Sequence, residues 1–176
     1  MANPDELSRK AFSYFDDLHV GQRIISGTHV IDEEQIKAFA KQFDPQPFHL
    51  DAKAAKDTLF EGLVASGWHT AAISMRLLVE SVPAAGGIVG AGGEIAWPKP
   101  TRPGATLHVE SEILELRPSR SRPDRGMATI RSETVNHLGE IVQVLIAKLV
   151  VPRRTSPVTL AEENATRRVD GGVAQI

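Results

Sequence analysis

The chain has 176 residues, of which 41% are hydrophobic and 24% charged, and its formal net charge is −2. This length suits one ordinary domain with or without tails, and the apolar-to-charged balance excludes disorder throughout. Near-neutral charge argues against a broad nucleic-acid or membrane surface, and the lack of cysteine excludes disulfides, thiolate nucleophiles, iron–sulfur clusters and Cys-ligated zinc.

The opening segment Met1 to Leu7 has neither the basic start nor the apolar run of a signal peptide. The longest strongly apolar stretch, Ile141 to Val151, is interrupted by Gln143 and Lys148 and is far short of the roughly 20 residues that span a bilayer. The expectation is a cytoplasmic chain with no membrane or nucleic-acid partner. Residues 1–14 read as an N-terminal extension, 15–152 as the folded domain, and 153–176 as a polar, loose C-terminal tail.

A strand is expected around Arg23 to Val30. The first helix follows it: Asp32 is a good N-cap, Gln35 stands where a capping box wants it, and Ile31 and Ile36 occupy the hydrophobic-staple positions. Ile36, Phe39, Ala40 and Phe43 then fall on one helical face. Pro45 and Pro47 block continuation, so Asp44 should lie just past a helix on a stiff loop.

From Ser66 to Val82 the residues Trp68, Ala71, Ala72, Met75, Leu78, Val79 and Val82 form an unbroken stripe at helical spacing, widened by Ile73 and Leu77. So wide a stripe predicts a helix covered on most sides. Ser66 caps its start and Pro83 marks its end.

Beyond it the periodicity becomes that of strands. Gly93 to Trp97 is a short one. Ala105 to Leu116 alternates through Leu107, Val109 and Ile113, then shifts phase at Leu114 as a bulge would cause. Gly126 to Val135 and Ile141 to Val151 are joined by the turn Asn136 to Gly139, and the last run is apolar enough to be a central strand. The pattern is α+β: a long central helix wrapped by an antiparallel β-sheet in a single domain.

The segment Phe43-Asp44-Pro45-Gln46-Pro47-Phe48-His49-Leu50-Asp51 carries the chemistry. It sets a carboxylate and an imidazole five residues apart on a proline-stiffened stretch between two phenylalanines. Such a pair can hold one water and move its protons. Helix-end and core roles for Asp44 and His49 would give the same spacing. Asp51 reads as an N-cap for the residues that follow.

Residues Phe39 to Asp51 resemble the hydratase-2 motif of the MaoC-like dehydratases, the family of the (R)-specific enoyl-CoA hydratases. Asp44, Pro47, Phe48 and His49 stand in register with that motif, while Gln46 replaces its Asn. Gly62-Leu63-Val64-Ala65-Ser66-Gly67, leading into the long helix, and the turn Pro100-Thr101-Arg102-Pro103-Gly104 extend the likeness over roughly residues 15 to 152.

The resemblance implies a hot-dog fold and a hydro-lyase that reversibly hydrates a trans-2-enoyl thioester, on coenzyme A or an acyl carrier, to a 3-hydroxyacyl thioester. It implies Asp44 and His49 as the acid–base pair and the Gly67 backbone N–H as oxyanion donor at a helix N-terminus. Gly67 could equally be glycine for helix–sheet packing. Gln46, Phe48 and Ser66 are the candidate substrate-binding residues. No metal and no cofactor beyond coenzyme A on the substrate are expected, and at least a homodimer is. A hot-dog thioesterase and a non-catalytic acyl-thioester-binding subunit are the alternatives.

Two further segments invite other readings. The glycine-rich run Gly86 to Gly93 leads into a strand and lacks a P-loop lysine, so it reads as a linker or tunnel wall. The basic run Arg117 to Gly126 reads as a solvated loop between strands, or as a contact for coenzyme A phosphates.

Overall fold

The computed structural model describes residues 14–82, 84 and 87–154. Six strands form one antiparallel sheet: β1 (Arg23–Ile25), β2 (His29–Val30), β3 (Val89–Ala96), β4 (Thr106–Pro118), β5 (Arg125–Asn136) and β6 (Ile141–Pro152). The order is β1-β4-β5-β6-β3, and β2 also pairs with β4. Among the described residues three α-helices accompany it: α1 (Glu33–Phe43), the single turn α2 (Pro47–Leu50) and the long α3 (Gly67–Ser81). A long helix laid on a curved antiparallel sheet is the hot-dog arrangement.

The expected strand over residues 23–30 divides in two, because Ser26–Thr28 leave the ladder between β1 and β2. The phase shift read at Leu114 is a bulge in the β4–β5 register between Ile113 and Glu115. β6 is central, between β5 and β3. From Val89 on, the glycine-rich run is strand rather than linker: Gly90, Gly92 and Gly93 lie in β3, with a register shift between Gly90 and Gly92. Glycine is required at Gly93, where an added Cβ would lie 2.5 Å from the Ile146 carbonyl oxygen.

Only half of the expected capping box forms at α1. The Asp32 carboxylate accepts from Gln35 N–H at 2.7 Å, but the Gln35 side chain turns to His29 Nε2 at 3.0 Å. Ile31 and Ile36 are fully buried in the core with Leu63, Ile73, Leu77, Leu107, Val109 and Val142. Phe43, in contrast, is exposed.

α3 begins and ends where the sequence indicates, with Ser66 as N-cap and Val82 as C-cap. Its burial follows the expected stripe in part: Ile73, Leu77, Leu78 and Val82 are buried, but Trp68, Met75 and Val79 are not. Thr70 and Ser74 face the sheet with Ile73, Leu77 and Leu78. Hydroxyls therefore take part of the inner face: Ser74 Oγ lies 2.6 Å from Thr134 Oγ1, and Thr70 Oγ1 2.9 Å from Thr101 Oγ1. Both pairs tie α3 to the sheet side of the domain.

Of the expected extension and tail, residues 1–13 and 155–176 lie outside the described residues. Arg153 and Arg154 bond Asp16 and Asp17, at 2.6 Å and 2.8 Å, and their guanidiniums sit over Phe15 and Tyr14. Among the described residues no helix is long and apolar enough to cross a membrane.

Candidate active site

Asp44 is the C-cap of α1, its N–H still bonded to Ala40 O at 3.0 Å. The chain then re-enters helix at once. Pro47 takes the first position of α2, where a missing N–H costs nothing. His49 therefore stands on a helical turn, not on the loop that the prolines predict. Asp51 closes that turn and accepts from Lys53 N–H and Ala54 N–H, a local capping role.

His49 and Asp44 face one another, with Nε2 and Oδ2 separated by 3.4 Å and side chains only 6% and 18% exposed. His49 Nδ1 lies 2.8 Å from the Val64 carbonyl oxygen, which can only accept. The Nδ1 proton is thereby fixed, and in the neutral ring Nε2 presents its lone pair toward the carboxylate. In that neutral form two acceptors converge on one spot, where the two O–H bonds of a water would satisfy both.

Val64 is held in turn by its own N–H on Phe48 O at 3.2 Å, and Ala65 N–H reaches Thr101 O at 2.9 Å. The segment before α3 is thus fastened to both α2 and the turn before β4.

Asp44 accepts two further hydrogen bonds. Ser66 Oγ donates to Oδ2 at 2.7 Å and Gln46 Nε2 donates to Oδ1 at 2.7 Å. Burial pushes the Asp44 carboxyl up, but the Ser66 and Gln46 bonds and the nearby His49 outweigh it, so it lies below the usual carboxylate value. The amide of Gln46 and the hydroxyl of Ser66 are both spent on Asp44. Ser66 Oγ also accepts the Trp68 N–H at 3.2 Å.

Gly67 is the first residue of α3, so its N–H has no intrahelical carbonyl to bond. A Cβ at Gly67 would lie 2.8 Å from Cδ2 and Cε2 of Trp97. Packing against an indole is thus sufficient reason for a glycine here.

These groups line one cleft of about 570 Å³. Asp44, Gln46, His49, Ser66 and Gly67 meet there with Phe48, Phe60, Trp68, Trp97, Thr101 and Arg102. All six candidate site residues share this wall. In the sequence Trp97 reads only as the end of a strand and Thr101 as part of a turn, because neither position signals a cleft-lining side chain. Val64 acts through its carbonyl, which no side-chain pattern reveals.

The basic run does not line the cleft; it forms the β4–β5 turn at the opposite end of those strands, and Arg117 and Arg125 pair with Glu115 and Asp124. A smaller cleft of about 220 Å³ is lined by Arg23, Glu112, Arg131 and Glu133, which pair among themselves.

A family model described as MaoC like domain matches residues 19–136. A MaoC-like dehydratase from Rhodospirillum rubrum is 57% identical and superposes with a TM-score of 0.80, covering 81% of this chain and 99% of that one. The R-hydratase PhaJ1 from Pseudomonas aeruginosa is 27% identical, with a TM-score of 0.67 over 80% of this chain and 86% of its own. The uncharacterized protein YdeM of Bacillus subtilis is 32% identical over 124 residues, 69% of this chain and 86% of that protein. These likenesses support a reaction of the hydratase type.

Proposed function

The chain belongs to the MaoC-like domain family, and from that premise we propose that it reversibly adds water to a trans-2-enoyl thioester, giving a 3-hydroxyacyl thioester. The observation that carries this reading is the 3.4 Å approach of His49 Nε2 and Asp44 Oδ2 on the wall of the cleft. A water bridging the two acceptors adds its oxygen to C3. The pair takes one proton from that water and returns one to the α-carbon, so the site ends as it began.

Addition at C3 builds enolate charge on the thioester oxygen, and the Gly67 N–H at the head of α3 is the donor for it. Phe48 supplies apolar surface to the substrate, whereas Gln46 and Ser66 act through Asp44. The reaction needs no cofactor beyond the carrier of the substrate. Coenzyme A is the proposed carrier, with Arg102 at its end of the cleft. The Arg102 guanidinium donates to the carbonyls of Gly62 and Phe60, at 3.2 Å and 2.5 Å, so its charge is not neutralised by those partners.

The protein works as at least a homodimer in this reading. β3 is an edge strand, and Trp68, Met75 and Val79 on α3 together with Val89 on β3 leave apolar surface exposed.

The test is loss of enoyl-thioester absorbance with a panel of trans-2-enoyl-CoA substrates, beside Asp44→Asn and His49→Gln. Hydration by the wild type, slowed about 10²-fold or more in each variant, is expected. Binding of acyl-CoA without turnover of any substrate in a broad panel would replace the hydratase by a binding subunit.

A further inference from the structure

We infer that Trp97 sets the size of the acyl group the cleft admits, and that Gln143 is the positioning residue that holds its indole there. The inference rests on the thioester-hydration reading for the identity of the substrate, but its geometry is independent of that reading. Trp97 follows the last residue of β3 and precedes Pro98, which confines its backbone to extended conformations. Ala96 pairs with Val144, so Trp97 runs alongside Gln143 of β6. The Gln143 side-chain oxygen accepts from Trp97 Nε1 at 3.0 Å, and Gln143 is only 1% exposed. An indole has one N–H, so this bond anchors the nitrogen edge of the ring on β6.

Held this way, the ring presses on Gly67, where a Cβ would come within 2.8 Å of it, and meets the edge of Trp68 at 5.3 Å between centroids and 76° between planes. The wall beside the proposed thioester-oxygen donor is therefore two tryptophans. Swinging Trp97 aside would leave the buried amide of Gln143 without its donor, a cost that keeps the wall closed.

The rest of the cleft offers a place for the carrier. Phe48 and Phe60 pack at 5.0 Å in the same cleft, and the Phe60 carbonyl accepts from Arg102. Among the described residues Arg102 has no carboxylate partner within ion-pair distance. A free cation suits the phosphate-bearing carrier, and in this inference the acyl group lies past Gly67 and against Trp97. Its length and branching are limited by a rigid ring instead of by a flexible side chain that yields.

The experiment measures kcat/KM over trans-2-enoyl-CoAs of increasing chain length for the wild type, Trp97→Ala and the milder Trp97→Leu. Both variants are expected to raise the long-chain to short-chain ratio by about tenfold or more, the scale at which pocket size discriminates methylenes. Gln143→Leu should move the ratio the same way, and Gln143→Glu, which keeps an acceptor at the same reach, should restore it. Variants that slow every chain length by one common factor would overturn the inference.

If the wild type hydrates nothing, the hydration reading fails by itself and the size filter is read by binding. The chain has only two tryptophans, so Trp68→Phe leaves Trp97 as the sole indole emitter. Saturated short-chain acyl-CoA should then shift Trp97 emission and bind more tightly than long-chain acyl-CoA. Emission unchanged by a bound acyl-CoA, or equal affinity at all lengths, would remove Trp97 from the acyl path.

Discussion

Ser66 and Asp44, far apart in the chain, meet where the Ser66 hydroxyl donates to the Asp44 carboxylate at 2.7 Å. The same oxygen accepts the Trp68 N–H at the first turn of α3, so one side chain caps the helix and supports the proposed acid–base pair. Ser66→Ala should shift the acid limb of the kcat/KM profile to higher pH, because Asp44 loses a bond that holds its carboxyl below the usual value. Loss of the cap should also cost about 1 kcal/mol in urea unfolding. An unmoved acid limb would show that Ser66 serves the helix alone.

Gln46→Leu separates a residue that contacts substrate from one that supports Asp44. Gln46 Nε2 is 2.7 Å from Asp44 Oδ1, so removing it should lower kcat by about tenfold and change KM by no more than about twofold. A rise in KM at constant kcat would instead assign the amide to substrate.

Beneath the cleft, Ser74 donates to Thr70 O at 2.7 Å, and its oxygen, 2.6 Å from Thr134 Oγ1, is left to accept from that hydroxyl. Ser74→Ala strands the buried Thr134 hydroxyl and should cost about 1–3 kcal/mol of stability. In Ser74→Ala/Thr134→Val no hydroxyl is stranded, so the double variant should be more stable than the sum of the single changes predicts. Strict additivity in a thermodynamic cycle would contradict this pairing.

His69 is 8% exposed, its Nδ1 has no hydrogen-bond partner, and its ring stacks on Phe39 at 4.5 Å and 3°. Burial, with a smaller push from His29, drives its pKa from 6.5 down to about 4. Between those values the unfolded chain binds the extra proton and the folded chain does not, so stability falls as pH drops through this window. His69→Phe keeps the stack and should remove this part of the acid sensitivity, on the order of 2 kcal/mol between pH 6.5 and pH 4. Parallel stability–pH curves for the two proteins would refute the assignment.

What could be read from residues alone divides along physical lines. Periodicity and capping located α1, α3 and the three long strands, down to the bulge at Leu114, because both are properties of neighbours in sequence. The proximity of Asp44 and His49 was legible because two prolines restrict the short chain between them. The inner face of α3 was legible only in part. Hydropathy pointed to Trp68, Met75 and Val79, yet Thr70 and Ser74 are buried because hydroxyls on Thr101 and Thr134 satisfy them. α2 was hidden for a related reason: Pro47 reads as a stop but also suits the start of a turn. The roles of the Val64 carbonyl and Gln143 depend on tertiary contacts that no local pattern carries.

The clamp of Arg153 and Arg154 on Asp16 and Asp17 gathers both ends of the described domain at one point. Arg153 N–H also reaches Asp124 O, within the β4–β5 turn, so this point lies at the pole of the strands away from the cleft. The described domain is thereby polarised, with its two ends at one pole and the cleft at the other. A protein tethered to a surface through residue 14 or 154 would present its cleft outward, and joining those two positions by a short linker suits circular permutation with new ends cut elsewhere.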